Sequence, residues 1–282
     1  MKKIVFGPVL VLFALLLGYA AFIEPFWIRT NEVTIHDDAL FRSWQGLRIM
    51  HLSDLHSQGI GRRERHILAL VKELRPDLIL MSGDYTQWRK NPAGALSFLQ
   101  KLSAPLGVYG VLGDADDAAN RQKCQYCHPG QQYDKRNRQP FLLQDEVVRL
   151  RWHGHEIKLA GLTPDEDGVE FAQKLLGPGA DRSEPTLVLS HFGKMWSALP
   201  WSLPGLWLVG DTHGGQIRLP VWFWKIIKYK PDPEHLAGLF SNGRGGFMYV
   251  NRGIGTTRGF PFRLGVRPEV VMIQFRPGSH GQ

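Results

Sequence analysis

The chain has 282 residues, 43% hydrophobic and 21% charged, which is long enough to bury a full core and too apolar for a disordered segment. Its formal charge of +8 suits an acidic partner, either an anionic membrane surface or a phosphorylated substrate. No nucleic-acid partner is expected: there is no helix-turn-helix, zinc-finger or RNP-like pattern, and aromatics do not interleave with basic residues along one stripe.

After Met1, Lys2 and Lys3 comes Ile4 to Ile23, an uncharged apolar run that resumes at Pro25-Phe26-Trp27-Ile28 beyond Glu24. At 1.5 Å rise, about 20 such residues cross a hydrocarbon core of roughly 30 Å. A cleaved signal peptide normally has a shorter apolar region and a small-residue cleavage site, of which Gly18 and Ala20 offer only a weak version. The expectation is an uncleaved anchor over residues 1–30, a single pass through the inner (cytoplasmic) membrane. Lys2 and Lys3 hold the N-terminus in the cytoplasm and leave the rest of the chain on the outer side.

From about residue 46 strands and helices alternate. Leu47 to Leu52 is an apolar run ending at Ser53-Asp54, and Glu64 to Leu74 has apolar residues at helical spacing and stops before Pro76. Leu78 to Met81 reads as a buried strand ending at Gly83-Asp84. A helix is expected from Pro92 to Leu102, then a strand from Val108 to Leu112 ending at Gly113-Asp114. This βαβαβ order calls for parallel strands. Residues 117–140 are polar and read as an insertion, Val147 to Leu162 as a hairpin turning at His153-Gly154-His155, and Gly168 to Leu176 as a helix. Two more buried strands end at Ser190-His191 and at Gly210-Asp211, and closing strands are expected at Gly246 to Val250 and Val270 to Phe275. The fold class that results is α/β, a four-layer α/β/β/α sandwich of two mixed sheets over residues 45–277, preceded by the N-terminal transmembrane helix.

Five strands thus end in residues able to bind a hard or borderline divalent metal: Asp54-x-His56, Asp84, Asp114, His191 and Asp211-x-His213. In α/β sheets the functional crevice lies beyond the carboxyl ends of the strands, so loops there bring distant residues together. Each pair alone is weak, but five in succession at strand ends point to a metal centre of Mn, Fe, Zn or Mg type.

With its Ser-Asp-Leu-His, Ser-Gly-Asp-Tyr, Gly-Asp-Ala-Asp, Ser-His-Phe and Gly-Asp-Thr-His-Gly-Gly-Gln motifs, the chain resembles the calcineurin-like metallophosphoesterases over nearly its whole length. Their pattern is Asp-x-His, Gly-Asp, Gly-Asn-His-Asp, a lone His and Gly-His-x-His. The anchor and the stretch Tyr249 to Thr257 look like the membrane-associated branch, which includes hydrolases of the UDP-2,3-diacylglucosamine intermediate of lipid A biosynthesis. The resemblance implies that Asp54, His56, Asp84 and His213 hold a first metal. Asp84 bridges to a second, completed by Asp114, His191 and Asp211. It further implies a two-metal-activated hydroxide attacking in line, with Asp84, Asp114 and His191 counted as catalytic.

Three departures from the family pattern bear on the chemistry. Asp114 stands in place of Asn and Asp211 in place of His, which raises the carboxylates to four and favours Mn or Mg, with Fe and Zn still compatible. Arg62, Arg63 and Arg252, with Arg244 and Arg258, are candidates to restore positive potential around the phosphate. Ala115 replaces the His that assists the leaving group, and losing a general acid typically costs on the order of 10²–10⁴ in rate. Either the leaving group needs little help, or His128, His153 or His155 substitutes, or the site catalyses poorly.

Cys124-Gln125-Tyr126-Cys127-His128 admits a disulfide, a c-type haem attachment, a zinc clip or free thiols, with the disulfide favoured in an exported protein. Val221 to Lys230 mixes aromatics with lysines and reads as an interfacial segment on an anionic bilayer rather than a buried strand. The function expected is metal-dependent hydrolysis of a phosphoester or pyrophosphate in a membrane-proximal, lipid-linked substrate. The alternative is a catalytically weakened metal-binding or scaffold protein on the same fold, and a small haem-bearing redox protein is a distant third.

Overall fold

A computed structural model of the protein describes residues 6–87, 93–116, 139–163, 166–176, 184–194, 196, 204–228, 231–257 and 259–278. Its strands are β1 (Arg29–His36), β2 (Ile49–Leu52), β3 (Leu78–Met81), β4 (Val108–Gly110), β5 (Phe141–Leu142), β6 (Glu146–Trp152), β7 (His155–Gly161), β8 (Thr186–Leu189), β9 (Gly205–Val209), β10 (Gly238–Ser241), β11 (Gly246–Val250) and β12 (Glu269–Arg276). The helices are α1 (Phe6–Phe22), α2 (Asp38–Trp44), α3 (Arg62–Leu74), α4 (Ala93–Leu99), α5 (Glu166–Leu176) and α6 (Val221–Ile226).

Two six-stranded sheets form, in the orders β1-β12-β2-β3-β4-β5 and β10-β11-β9-β8-β7-β6. Both are mixed: β2, β3, β4 and β5 run parallel while β12 is antiparallel to β2, and β11, β9, β8 and β7 run parallel between antiparallel edge strands. The near-continuous apolar runs follow from this, because a strand buried on both faces has no polar side.

Side chains alternate across each strand, and the alternation sorts them into three cores. Ile49, Leu78, Leu80, Val271 and Ile273 of the first sheet meet Leu187, Leu189, Leu206 and Leu208 of the second. On the outer face of the first sheet, Met50, Leu52, Ile79 and Met81 pack against Ile67 and Leu70 of α3 and Phe98 and Leu99 of α4. On the outer face of the second, Val188, Trp207 and Val209 pack with Ala172 of α5. Helix, sheet, sheet, helix is the four-layer order the sequence predicts.

Helix α3 begins where the Glu64 carboxylate accepts from the Gly61 N–H (2.9 Å) and ends at Arg75, whose left-handed backbone precedes Pro76. Helix α4 is shorter than the expected span to Leu102. The expected hairpin forms with a tighter turn, at His153-Gly154, both at positive φ. The expected insertion at 117–140 and its Cys124, Cys127 and His128 lie outside the described residues, apart from 139 and 140.

β1 and α2 were not anticipated, nor were the short edge strands β5 and β10. β1 pairs in parallel with β12 along its whole length, so the first sheet takes in residues before the 45–277 span. α2, capped by the Asp37 side chain on the Leu40 N–H (2.9 Å), buries Leu40 and Trp44 in the intersheet core. Residues Gly7–Phe26 are long and apolar enough to cross a membrane, with a mean hydropathy of 2.2. α6 buries Trp224 against Gly215, while Trp222 and Ile226 remain 61% and 69% exposed.

Candidate metal centre

The carboxyl ends of β2, β3 and β4 in one sheet, and of β8, β9 and β11 in the other, open onto one crevice above the intersheet core. β2 delivers Asp54 and His56, β3 Asp84, β4 Asp114, β8 His191 and β9 Asp211 and His213. The loops are zipped together by backbone bonds from Asp54 N to Gly83 O (3.0 Å), His56 N to Asp84 O (2.9 Å) and Ser57 N to Tyr85 O (2.9 Å).

Asp54, His56, Asp84, Asp211 and His213 all have positive φ, at 49°, 41°, 56°, 69° and 50°. A non-glycine residue in that region costs on the order of 1–3 kcal/mol, and such strain clusters at functional sites. It turns each side chain inward off the end of its strand. The approach of loops is close enough to demand glycine: a Cβ on Gly113 would lie 2.5 Å from Asp84 N, and one on Gly83 would lie 2.8 Å from His191 Nδ1.

Five of the predicted residues converge at the bottom of the crevice. His56 Nε2 lies 3.1 Å from His213 Nε2 and 3.3 Å from Asp84 Oδ2. His213 Nε2 is 3.5 Å from Asp54 Oδ1, and His191 Nε2 is 3.6 Å from Asp84 Oδ1. Two sets of three ligand atoms are mutually close enough for one ion each, Asp54, His56 and His213, and Asp54, Asp84 and His191. Ligand atoms about 2.1 Å from one ion at angles of 90–120° lie roughly 3.0–3.6 Å apart, and the four distances above fall in that range.

The tautomers fit as well. His191 Nδ1 is 2.7 Å from the Ser82 carbonyl oxygen, to which it donates, so in the neutral ring that would ligate a metal the lone pair is on Nε2. That atom is fully buried and without a hydrogen-bond partner, a costly state unless a cation takes the lone pair. Backbone hydrogen bonds at Thr86 and Gly255 support the rings of His56 and His213.

Burial dominates the electrostatics. It pushes the His56 pKa down to about 4, helped by His191, and the His213 pKa well below the ordinary value, helped by His56 and Arg263. Both rings are neutral at pH 7 and available to ligate. Burial raises Asp54 and, further, Asp84, against the attraction of His191, and lifts Asp211 to about 6. Burial opposes a proton on His191, but Asp84, Asp114 and Asp54 outweigh it and raise that group. The metal-free cluster therefore retains protons that a divalent cation would displace.

Asp114 and Asp211 stand at the rim of this cluster. Asp114 Oδ1 is 3.6 Å from His191 Nε2 with its side chain 55% exposed, and Asp211 donates its N–H to Asp54 Oδ1 (3.1 Å). Ala115 is buried and donates its N–H to Asp84 Oδ1 (2.7 Å). Arg63 stacks over Phe26 at 5.7 Å and its charge is felt at His56. Arg62 is 6.0 Å from the same ring. Arg252 flanks the loop after β9 and pairs with buried Glu269 at 3.6 Å.

Some candidates are corrected by topology. β7 runs parallel to β8, so His155 at its start, and His153 before it, lie at the end of the sheet remote from His191. Neither replaces the missing His at position 115. Arg244 lies in the turn between β10 and β11, paired to the start of β9, and is equally remote. Arg258 and His128 lie outside the described residues.

Three buried residues were not singled out from the sequence. Asp116 accepts from the N–H groups of Tyr85 (3.1 Å), Thr86 (3.2 Å) and Gly113 (3.2 Å), pinning the second loop to the third; its place in Gly-Asp-Ala-Asp was the available signal. Arg263 is fully buried and donates to the carbonyls of Gly255 (2.6 Å), Arg252 (2.9 Å) and Gly253 (3.2 Å). Nothing local in Pro-Phe-Arg-Leu marks it. His51 is the third, buried where the pattern calls for an apolar residue.

Residues 47–193 match the profile of the calcineurin-like phosphoesterase family. The chain is 28% identical over 276 residues to the uncharacterized metallophosphoesterase YkuE of Bacillus subtilis, covering 92% of this chain and 89% of that one. It is 28% identical over 265 residues to the phosphodiesterase YaeI of Escherichia coli, covering 91% and 92%. It is 26% identical over 309 aligned positions to the UDP-2,3-diacylglucosamine pyrophosphatase LpxG of Chlamydia trachomatis, again covering 91% and 92%.

Proposed function

The chain belongs to the calcineurin-like phosphoesterase family and is a metallophosphoesterase, a hydrolase of phosphoester bonds, and on that premise we propose that its substrate is an amphiphile at a membrane surface. The bond cleaved is a phosphoester or pyrophosphate, as in a UDP-2,3-diacylglucosamine, the compound named for the chlamydial relative.

One observation carries this reading. The Arg263 N–H donates to the carbonyl of Ala20 in the apolar helix α1 (2.9 Å), while the Arg263 guanidinium holds the Gly255 carbonyl (2.6 Å). Gly255 in turn donates its N–H to Asp54 O (2.6 Å). The end of the anchor is thus two residues removed from a candidate ligand, which supports a crevice beside the bilayer. Trp222, Ile226 and Ile227 of the α6 segment, exposed and flanked by Lys225 and Lys228, supply a second contact with an anionic surface. The organisation proposed is a single-pass anchor at residues 1–30 and a catalytic domain at 45–277 to which β1 adds a strand.

Asp54, His56, Asp84 and His213 would hold the first ion, and Asp84, Asp114, His191 and Asp211 the second. The pair of cations supplies positive charge to the phosphoryl oxygens and an activated water. Asp84, with Oδ2 toward His56 and Oδ1 toward His191, would contribute an oxygen to each ion. Arg62, Arg63 and Arg252 bind the phosphate oxygens and offset the four carboxylates. Ala115 provides no proton donor, so the leaving group is one that needs little protonation, as a nucleotide phosphate does. An oxygen-rich second site favours Mn or Mg.

Ala115 also favours a second reading, a protein that binds metal and phosphate but turns over slowly. Metal analysis of the purified full-length protein, with activity on lipid pyrophosphate, nucleotide and aryl phosphodiester substrates, separates the two. Manganese- or magnesium-dependent cleavage with preference for the lipid-linked substrate is expected. Stoichiometric metal without cleavage of any of them would replace the first reading by the second.

A further inference from the structure

His51 lies on the intersheet face of β2, two residues beyond Ile49 and among Leu80, Val271 and Tyr249. It is fully buried. An imidazole in such a position is unfavourable unless its polar atoms find partners. Those partners form a line. His51 Nε2 is 2.9 Å from Ser82 Oγ, Ser82 Oγ donates to Ser53 Oγ at 2.8 Å, and Ser53 Oγ donates to Asp54 Oδ2 at 2.5 Å. Ser53, Ser82 and Asp54 are all fully buried.

The direction of this line is forced by proton count. Each hydroxyl has one proton: that of Ser53 goes to the carboxylate and that of Ser82 to Ser53. Ser82 must therefore accept from its remaining neighbour, which fixes His51 as the tautomer protonated on Nε2. Asn251 agrees with that assignment. Its Oδ1 accepts from Gly253 N (2.8 Å), so its amide nitrogen points at His51, donating to the His51 carbonyl (3.2 Å) and lying 3.5 Å from Nδ1, the acceptor nitrogen. Burial pushes the His51 pKa down to about 3, so the tautomer persists through physiological pH.

We infer that His51, Ser82 and Ser53 are positioning residues, a one-way hydrogen-bond relay that holds Asp54 Oδ2 and, with the Asp211 N–H on Oδ1 (3.1 Å), fixes the carboxylate so that Oδ1 is presented to the first metal ion. Oδ1 is the oxygen that faces His213 Nε2 (3.5 Å). The relay thereby steers Asp54 toward His213 and the first ion, while Asp84 has its two oxygens facing different histidines. Donors polarised in series strengthen the last bond, which keeps the Asp54 carboxylate oriented. Gly210 completes the arrangement, because a Cβ there would overlap Ser53 Oγ and lie 2.6 Å from Asp54 Oδ2.

This inference rests on the metal-centre reading, and manganese titration of the full-length protein in detergent, followed by calorimetry and electron paramagnetic resonance, tests the two separately. Ser53→Ala, Ser82→Ala and His51→Leu should each weaken the first manganese by about 10–100-fold, the effect typical of losing an outer partner of a ligand, with second-site affinity changed less than threefold. His51→Leu should leave the metal-free thermal midpoint at or above that of the parent, since an apolar residue suits the intersheet core. His51→Gln, which keeps a donor, should recover part of the lost affinity. A merely structural role would instead lower the midpoint and spare the affinity. Parent-like manganese binding in Ser53→Ala and Ser82→Ala overturns the relay while leaving the metal centre intact. A parent that binds no divalent ion overturns both.

Discussion

The rings of His56 and His213 stack at 5.0 Å with a 16° interplanar angle, and their Nε2 atoms lie 3.1 Å apart. Two neutral imidazoles brought so close, nitrogen to nitrogen, offer two lone pairs to one point. A divalent cation there satisfies both at once.

Proton release on metal binding follows. Burial raises Asp84 well above the ordinary range and Asp211 to about 6, and neighbouring carboxylates raise His191, so these groups hold protons near neutral pH. A group whose metal-free pKa is raised must lose its proton to the incoming ion, and affinity falls as pH drops through that value. His56 and His213, already neutral, contribute nothing above pH 6. Manganese titrations in buffers of different ionisation enthalpy should show release of one or more protons at pH 6–7 and weaker binding at pH 5.5. Affinity independent of pH would contradict the assignment.

Asp84→Ala should remove both metals and abolish activity, because it is the carboxylate with an oxygen toward each of two histidines. Metal content by mass spectrometry, with turnover of an aryl phosphodiester, is the check. Full metal and full rate in the variant would show that Asp84 is not a ligand.

Gly113→Ala tests the packing of the loops. The added Cβ would lie 2.5 Å from Asp84 N and 2.9 Å from its carboxyl carbon, so the second loop must move. Overpacking of this kind costs about 1–3 kcal/mol, or roughly 2–5 °C in thermal midpoint at this chain length. Metal content should fall with it. An unchanged midpoint and metal content would mean the loops are not in contact as described.

On the proposed ligand set, the rim aspartates set the metal preference. Asp114→Asn with Asp211→His should shift preference from manganese toward zinc, since imidazole ligation favours zinc over oxygen-rich shells. Adding Ala115→His should then raise the rate by about 10²-fold or more, the usual contribution of a proton donor to the leaving group. The same metal ranking in parent, double and triple variants would remove Asp114 and Asp211 from the ligand set.

Membrane attachment is tested by washing. Salt screens surface electrostatics within about 8–10 Å but does not extract a helix as long and apolar as Gly7–Phe26. The protein should remain in the membrane fraction through a high-salt wash and leave it with detergent. Release by salt alone would show that α1 does not insert.

Local sequence patterns specify the layers and the motif positions. Apolar runs such as Leu78 to Met81 and Leu206 to Val209 specify strands buried on both faces, and the polar residue that follows each run is the one carried into the crevice. These are local patterns, readable because a strand's alternation and its end are encoded in adjacent residues. Tertiary structure decided what depends on residues far apart. β1 pairs with β12 across some 240 positions, and no local signal in Arg29 to His36 names that partner. Asp54, His56, Asp84, His191 and His213 close on one another while Asp114 and Asp211 stay at the rim, because backbone bonds between loops and the left-handed turns of the ligands fix their depth. The burial of His51, Asp116 and Arg263 is likewise a tertiary outcome. A polar side chain reads as surface in a sequence, and only the convergence of its hydrogen-bond partners from other strands makes its burial affordable.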